Sequence, residues 1–274
     1  MAELEKLRAG CLRLRNRIVD MIHGAGSGHA GGSLSCVEIV WTLYSEVLRF
    51  HAAEPGWPDR DRFVLSKGHA APLLYATLAE CGFFEPQLLD SFRHTGSPLQ
   101  GHPDMRKVPG VEMSAGSLGM GISAGVGMAL AARLSNRKFR VYVLVGDGEL
   151  QEGQNWEALA AANKYRLENF VVIVDANGVQ LDGTTEEIMP SGDISAKLRA
   201  FGLEARECDG HDCGALLSAF DWATSKPTGP RAIVAATVKG KGVSFMEGDH
   251  AWHGRRIGDE EYAIARRELA GAAQ

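Results

Sequence analysis

Two apolar runs, each followed by a polar turn containing glycine, constrain the fold of this chain more than any other feature of its sequence. Residues 140–145 and 170–174 have the pattern of buried strands, and the segment 155–165 between them has the pattern of a helix. Asp147 follows the first strand within Gly-Asp-Gly, and Asn177 follows the second strand thirty positions later. A strand–helix–strand unit of this length joins parallel neighbours, so both side chains are expected at the same edge of one sheet.

Shorter segments of the same kind extend this pattern in both directions. Further strands are predicted at residues 62–65, 204–208 and 232–238, and further helices at residues 3–22, 36–48, 72–81, 119–134 and 215–225. Ser33 or Ser35 is the candidate cap of the helix at residues 36–48. Strands that alternate with helices predict a three-layer α/β/α fold with a mainly parallel sheet. Neither a repeat nor a linker interrupts the pattern, so residues 1–274 are expected to form a single domain.

Composition and charge argue against several classes of protein. The net charge of −5 gives no support for nucleic-acid binding, and no stretch is long and apolar enough to span a bilayer. The N-terminal segment is amphipathic and carries early acidic residues, unlike a secretory signal. The five cysteines are scattered and form no Cys-x-x-Cys, which predicts reduced thiols. These features predict a cytoplasmic protein with neither nucleic acid nor membrane as a partner.

Polar loops that contain glycine follow several of the predicted strands, and together they indicate one ligand site. The loops are SKGHA, GDG, DANGV and KGKG. In parallel sheets, ligands bind beyond the carboxyl ends of the strands. A carboxylate from Asp147, an amide oxygen from Asn177 and a backbone carbonyl suit Mg²⁺, while Gly146 and Gly148 allow close approach of a diphosphate. An acidic turn followed by an unrelated Asx turn would explain Gly-Asp-Gly alone, but the βαβ spacing disfavours it.

The histidines divide into two groups by their surroundings. Four of them fall in glycine-containing loops, where imidazole is suited to proton transfer near neutral pH: His29, His69, His102 and His253. The other five are assigned surface or structural roles by default: His23, His51, His94, His211 and His250. A zinc site is disfavoured because no His-x-x-x-His or Cys–His cluster occurs. Residues 119–124 fit the dinucleotide pattern GxGxxA, but no strand precedes them, which disfavours nicotinamide binding.

The ordered motifs resemble those of thiamin-diphosphate enzymes, and specifically the N-terminal half of the transketolase family. In addition to Gly-Asp-Gly and its distant Asn, the matching segments are GSGHAGGS, RDRFVLSKGHAAPLLYA, GHPD followed by SAGSLGMGISAGVGMA, and KGKGVSF followed by WHG. They extend from about residue 10 to about residue 255. One departure is Ala30, which stands where proline is common in the family, and it removes no ligand.

The resemblance implies thiamin diphosphate and Mg²⁺, or another divalent ion such as Ca²⁺ or Mn²⁺, as cofactors. The metal ligands would be Asp147, Asn177 and the main-chain oxygen of Val179. The positions that match cofactor-binding residues of the family are His69, Gly116, Ser117, Leu118, Gly148, Asn177, Lys239 and His253. Within this set the resemblance places Gly148 and His69 at the diphosphate and Leu118 near the aminopyrimidine ring.

The resemblance also implies catalytic roles for five residues. His29 and His253 would face the reacting carbonyl and its developing negative charge, and His102 with His69 would hold the terminal hydroxyl of the donor sugar. Glu152 matches a carboxylate that lies at the subunit interface of the family and links two active sites. The implied activity is transfer of a two-carbon ketol unit from a ketose phosphate to an aldose phosphate, as in the pentose phosphate pathway.

Transketolases continue into a pyrimidine-binding domain and a C-terminal domain that this sequence does not contain. We therefore expect the partner chain to be a C-terminal transketolase subunit, with activity only when both chains are present, and an α2β2 assembly. Two alternatives stay open: a subunit of another thiamin-diphosphate enzyme, resembling deoxyxylulose-phosphate synthase or a ketoacid dehydrogenase, and a non-catalytic cofactor-binding subunit. The segments RDRFVLSKGHA and WHG favour transketolase over the first alternative.

Overall fold

A five-stranded parallel sheet forms the centre of the computed structural model, which describes residues 2–272. The strands are β1 (Arg62–Leu65), β2 (Val141–Gly146), β3 (Phe170–Ala176), β4 (Glu204–Asp209) and β5 (Arg231–Ala236). Their order across the sheet is β1-β2-β3-β5-β4, and every neighbouring pair is parallel. The predicted strands and the predicted type of sheet are thus confirmed.

Helices cover both faces of the sheet. They are α1 (Ala2–Ala25), α2 (Ala30–Leu34), α3 (Val37–Thr42), α4 (Ala71–Glu80), α5 (Met120–Leu134), α6 (Gly153–Lys164), α7 (Thr185–Ile188), α8 (Ile194–Ala200), α9 (Cys213–Thr224) and α10 (Asp259–Gly271). Short 3₁₀-helical segments occur at Gly68–Ala70, Pro86–Ser91, Gly148–Gln151 and His250–His253. Within residues 2–272, no helix is long and apolar enough to cross a bilayer.

Alternating strand residues supply two separate cores, which is the physical basis of the three layers. In β2, Tyr142 and Leu144 pack with the layer that contains α1, α3, α4 and α9, whereas Val143 and Val145 pack with α5 and α6. Gly125 lets α5 approach the sheet closely, because a Cβ there would lie 2.4 Å from Cγ2 of Val143. The three-layer α/β/α prediction is confirmed.

The register of β2 and β3 brings the predicted ligand residues together. Gly146 pairs with Asp175, so Asp147 and Asn177 leave the sheet at the same edge. The main chain reinforces this arrangement, because the main-chain N–H of Asp147 donates to the main-chain oxygen of Asp175 at 3.2 Å. The neighbourhood predicted from a spacing of thirty residues is therefore present.

Some local predictions were wrong. The helix predicted at residues 36–48 is α-helical only over α3 and continues as a π-helical turn at Leu43–Val47. Neither predicted serine caps it: the hydroxyl of Ser33 donates to the oxygen of His29, and that of Ser35 donates to the carboxylate of Asp175. The helices α2, α7, α8 and α10 were not predicted, and β5 ends at Ala236, two residues earlier than expected.

Candidate active site

A cavity of about 290 Å³ lies beyond the carboxyl ends of the strands, where the glycine-containing loops meet. The predicted residues that line it are His69, Leu118, Asp147, Gly148, Glu152, Asn177, Val179, Lys239 and His253. A larger, more open cleft of about 660 Å³ lies elsewhere, among Arg133, Arg137 and Arg166, and contains none of the predicted site residues. We therefore take the smaller cavity as the candidate site.

Three oxygen atoms that could bind a metal ion lie at one end of the cavity, on Asp147, Asn177 and Val179, and the turn that follows β3 connects them. The carboxylate of Asp147 accepts hydrogen bonds from the N–H groups of Gly148 at 2.8 Å and Gly178 at 2.6 Å. The amide oxygen of Asn177 accepts the N–H of Val179 at 3.1 Å. A carboxylate, an amide oxygen and a main-chain oxygen suit a hard ion such as Mg²⁺. The predicted metal ligands therefore have the chemistry that this ion requires.

Asp147 is destabilised in its ionised form. Burial, together with the nearby carboxylate of Asp175, raises its pKa to about 6, against the two main-chain N–H bonds that lower it. The side chain is almost completely buried. A cation bound at Asp147 would offset this unfavourable burial, which is a second reason to regard the donor set as a metal site.

The buried ammonium of Lys239 joins the donor end of the cavity to the histidines. Its Nζ lies 3.1 Å from the oxygen of Val179, 3.2 Å from the oxygen of Gln180 and 3.1 Å from Nδ1 of His253. Burial and the positive charge of Lys67 lower the pKa of Lys239 to about 8. A buried cation whose direct hydrogen-bond partners are all neutral is suited to bind an anion.

All four loop histidines come together in space. The ring centroid of His29 lies 5.5 Å from that of His69, 6.2 Å from that of His102 and 5.3 Å from that of His253. The rings of His69 and His253 lie 4.9 Å apart. These residues are separated by as many as 224 positions in the sequence, so the fold assembles a compact imidazole cluster from four different loops.

The cluster is held in its neutral form. Burial, with neighbouring positive charge, lowers the pKa of His29 to about 4 and that of His253 to about 3, and the pKa values of His69 and His102 are lowered in the same direction. Nδ1 of His29 is buried and makes no hydrogen bond to described residues. Neutral imidazoles with a free polar atom can donate to, or accept from, a substrate oxygen.

Three predicted residues lie at the margin of the cavity rather than deep within it. Gly116 and Ser117 are exposed and lie outside its wall, although a Cβ on Gly116 would come 3.6 Å from the ring of His102. Glu152 is exposed at the rim, and its side chain caps nothing at the start of α6. An exposed rim carboxylate is free to contact another chain.

Sequence reasoning missed the buried network beneath the cavity. Lys67 and Asp175 form a fully buried ion pair, and Asp175 also accepts hydrogen bonds from Ser35 at 2.6 Å and from Asn177 at 3.0 Å. The only sequence features that could have indicated this ion pair were the Lys of SKGHA and the Asp of DANGV. This pair ties the loop after β1 to the loop after β3 and orients the Asn177 amide, leaving its oxygen free of Asp175.

A second missed residue is Glu149, which connects three site loops. Its carboxylate accepts hydrogen bonds from the hydroxyl of Ser66, from the N–H of Gly119 at 2.9 Å and from the N–H of Gly146 at 3.1 Å. Burial raises the pKa of Glu149 despite these bonds. The charge-rich turn GDGELQEG holds this residue, but nothing in the sequence distinguishes it from its exposed neighbours.

Arg93 is a third residue that was not predicted. It has a left-handed backbone, with φ of 61°, and its Nη1 donates to the hydroxyl of Ser27 at 2.6 Å. Its charge contributes to the lowered pKa of both His29 and His102. Its Nε is buried and has no partner among the described residues.

Comparisons with known proteins agree with this geometry. A family model described as transketolase, thiamine diphosphate binding domain, matches residues 8–273. The chain is 42% identical to the 6-deoxy-6-sulfo-D-fructose transketolase subunit of Clostridium sp. strain MSTE9, over 94% of this chain and 95% of that subunit. It is 40% identical to an apulose-4-phosphate transketolase subunit of Phocaeicola vulgatus, over 98% of this chain and 95% of that subunit.

Full-length transketolases are matched over only part of their length. Human transketolase is 40% identical over 93% of this chain, which spans 40% of the human protein. The solved transketolase of Campylobacter jejuni superposes with a TM-score of 0.91 at 33% identity, covering 96% of this chain and 42% of that one. The chain thus spans about two fifths of these longer relatives.

Proposed function

The chain belongs to the transketolase family, and from this premise we propose that it binds the diphosphate end of thiamin diphosphate with Mg²⁺ and transfers a two-carbon ketol unit between sugars together with a partner chain. The observation that supports the proposal most directly is the arrangement of the cavity. Metal-binding oxygens and a buried ammonium lie in the cavity together with the neutral rings of His69 and His253, and His253 contacts Lys239. The rings of His29 and His102 extend this imidazole cluster beyond the cavity lining.

At the donor end, each residue has a separate task. Asp147, Asn177 and the oxygen of Val179 would hold Mg²⁺, whose remaining positions suit diphosphate oxygens and water. Lys239 would neutralise the diphosphate charge. Gly148 lies where a Cβ would come 3.1 Å from Cβ of Gln180, so a larger residue would narrow the cavity at this point.

At the imidazole end, the residues would control hydrogen bonds and protons. When bound, thiamin diphosphate supplies the electron sink for carbon–carbon bond cleavage. His29 and His253 would donate hydrogen bonds to the substrate oxygen that becomes negatively charged, and their low pKa values make them strong donors if they take up a proton. His102 with His69 would hold the terminal hydroxyl of the donor sugar.

We propose that the partner is a C-terminal transketolase subunit that carries the pyrimidine-binding domain, in an α2β2 assembly. Two relatives of nearly the same length as this chain are named as subunits, which supports a divided enzyme. They are named for different anionic sugars, so we assign this chain a ketose donor with an anionic end group, such as a sugar phosphate, and no particular sugar. The five free thiols favour a cytoplasmic location.

The test is a titration of thiamin diphosphate and Mg²⁺ into the chain alone and into its mixture with the chain encoded by the neighbouring gene. Heat and ketol transfer are measured together, with Asp147→Asn as the variant that removes a metal ligand's charge. Tight binding and transfer only with both chains would support the proposal. Full turnover by this chain alone would contradict the need for a partner, and no binding under any condition would contradict the proposal itself.

A further inference from the structure

The loop that carries Lys239 is anchored from outside the cavity. Lys239 points across the cavity toward the oxygens of Val179 and Gln180. The main chain on either side of it is bound by side chains that line no part of the cavity, at the N–H of Val238 and at the oxygen of Lys241. These two anchors act together with main-chain hydrogen bonds of the loop, from Gly248 to the oxygen of Lys239 and from Gly240 to the oxygen of Gly31.

His211 supplies the first anchor. The N–H of Val238 donates to Nε2 of His211 at 2.8 Å. A main-chain N–H can only donate, so Nε2 carries no proton and the neutral ring has its proton on Nδ1. Nδ1 lies 3.0 Å from Oε2 of Glu38 and donates to it. The ring thus bridges a carboxylate and the backbone in one defined tautomer.

The carboxylate of Glu38 is itself fixed, and the residue that fixes it supplies the second anchor. Arg15 donates to Glu38 through Nη1 at 2.5 Å and through Nη2 at 2.9 Å, in a two-pronged pair that is almost completely buried. Nε of the same guanidinium donates to the oxygen of Lys241 at 3.0 Å. One network of three side chains therefore holds the main chain on both sides of Lys239.

A space-filling role would not account for this arrangement. The side chain of His211 is 16% exposed and borders an open cleft of about 590 Å³ that is separate from the active-site cavity. A ring whose only role was packing would not need to link a fixed carboxylate to the main chain beside Lys239. The pairing of both nitrogens instead indicates that the ring transmits the fixed position of Glu38 to the loop.

We propose that His211 is a positioning residue: oriented by Glu38, it fixes the main chain at Val238 so that Lys239 points into the cavity. The identity of the anion that Lys239 then meets, a diphosphate, rests on the proposed function. The positioning itself rests only on the contacts of His211, Glu38 and Val238.

The experiment uses the full chain and two substitutions of His211 whose side chains differ in length. In His211→Asn the side-chain amide can still pair with Glu38 but falls short of Val238, whereas in His211→Gln the amide oxygen reaches the place of Nε2. We expect His211→Asn to speed amide exchange in peptides covering residues 238–241 by about tenfold, the scale of one lost buried hydrogen bond, with β2 unchanged. His211→Gln should retain most of the protection.

The same variants are titrated with Mg²⁺ plus inorganic diphosphate and with Mg²⁺ plus thiamin diphosphate. We expect about tenfold weaker binding of both in His211→Asn and near-normal binding in His211→Gln. His94→Asn, at an exposed histidine in the irregular segment after Pro86–Ser91, serves as the matched control and should change neither measurement.

The outcomes separate this inference from the proposed function. Unchanged exchange at residues 238–241 in His211→Asn would overturn the positioning role, and so would equal impairment of the Asn and Gln variants. If the Asn variant does not fold, protection retained in His211→Gln supports the role and protection lost overturns it. If the wild-type chain binds no thiamin diphosphate, the proposed function fails, while amide exchange still decides the role of His211.

Discussion

Nζ of Lys239 lies 3.1 Å from the main-chain oxygen of Val179, the same oxygen that is predicted to bind the metal ion. Two cations cannot share one oxygen at short range without strong repulsion. The metal and Lys239 are therefore in competition until an anion is present that both can bind. This relationship predicts opposite effects of one substitution on metal binding and on diphosphate binding.

Lys239→Met removes the charge and keeps most of the side-chain volume. We expect the variant to bind Mn²⁺ alone about fivefold more tightly, because the repulsion is gone. It should bind inorganic diphosphate with Mg²⁺ about ten- to a hundredfold more weakly, because a charged hydrogen bond is lost. Paramagnetic resonance of free Mn²⁺ and calorimetry measure the two affinities.

The control for this experiment is Lys241→Met, two residues further along the same loop. Lys241 is partly exposed, and its ammonium pairs with Glu247 at 3.4 Å, away from the cavity. It should alter neither affinity. If Lys239→Met weakened metal and diphosphate binding alike, the competition between Lys239 and the metal would be disproved.

Binding of a diphosphate should be accompanied by proton uptake near pH 8.5. Burial lowers the pKa of Lys239 to about 8, so much of the free protein carries a neutral amine at this pH. An adjacent anion raises that pKa, and the amine gains a proton on binding. Asp147, with a pKa of about 6, is already ionised and adds nothing. Calorimetry in buffers of different ionisation enthalpy measures the uptake, which should disappear in Lys239→Met.

The buried pair beneath the cavity should matter for stability far more than a surface pair does. Lys67→Met leaves Asp175 buried without its cation, and we expect a loss of about 3–5 kcal/mol in the free energy of unfolding. Arg13→Met breaks the exposed pair with Glu80 and should cost about 0–1 kcal/mol. Urea denaturation measures both, and equal losses would show that the buried pair has no special role.

The sequence was sufficient for the centre of the sheet because β2 and β3 are continuous apolar runs, unlike the polar edge strand β4. Residues 141–146 and 170–176 are buried on both faces, so their pattern is visible without any partner. The edge where Asp147 and Asn177 meet followed from chain direction alone. The α8 helix has only seven residues, too few for a clear helical period. The α10 helix packs on α1, and a local pattern does not reveal that contact.

The hydrogen-bond networks that hold the site could not be predicted from the sequence, for a different reason. The contact between Lys67 and Asp175 joins residues 108 positions apart, and that between His211 and Glu38 joins residues 173 apart. One sequence contains no signal of such pairing. Ser35 illustrates this, since it has the pattern of a helix cap but its hydroxyl is bound to Asp175. Family resemblance identified nine of the residues that line the cavity, but not Lys67 and Glu149, which line it and also hold its loops together.

The imidazole cluster should make the free chain sensitive to acid. The pKa of His29 is lowered to about 4, whereas an unfolded histidine titrates near 6.5. Between these values the unfolded chain binds a proton that the native chain does not, so stability falls as the pH falls through about 6.5 toward 4. Asp147, with its raised pKa, acts in the opposite sense, so a difference between variants is needed.

His29→Asn provides that difference. Because the variant lacks the titrating ring, its free energy of unfolding should fall by about 1 kcal/mol less than that of the wild type between pH 7 and pH 5, after allowance for the partial exposure of His29. His94→Asn, at an exposed site, should follow the wild-type curve. Parallel curves for His29→Asn and wild type would mean that His29 is not held neutral.

Exposed apolar side chains at the mouth of the cavity should be covered by the proposed partner chain. Leu181 lines the cavity yet is 58% exposed, and Met189 nearby in the sequence is 59% exposed. Large apolar side chains left exposed around a ligand site are typical of a surface that another chain covers. Leu181→Asp should therefore weaken association with the partner about tenfold or more, because it would bury an unpaired charge.

Leu134→Asp is the matched control for the interface. Leu134 is 87% exposed, more than Leu181, but it ends α5 at the edge of the sheet opposite the cavity. If exposure alone decided the outcome, the Leu134 variant would weaken association at least as much as the Leu181 variant. If the cavity mouth is the interface, the Leu134 variant should leave association unchanged. Calorimetric titration with the partner chain separates the two, since equal affinities for both variants would place the interface elsewhere.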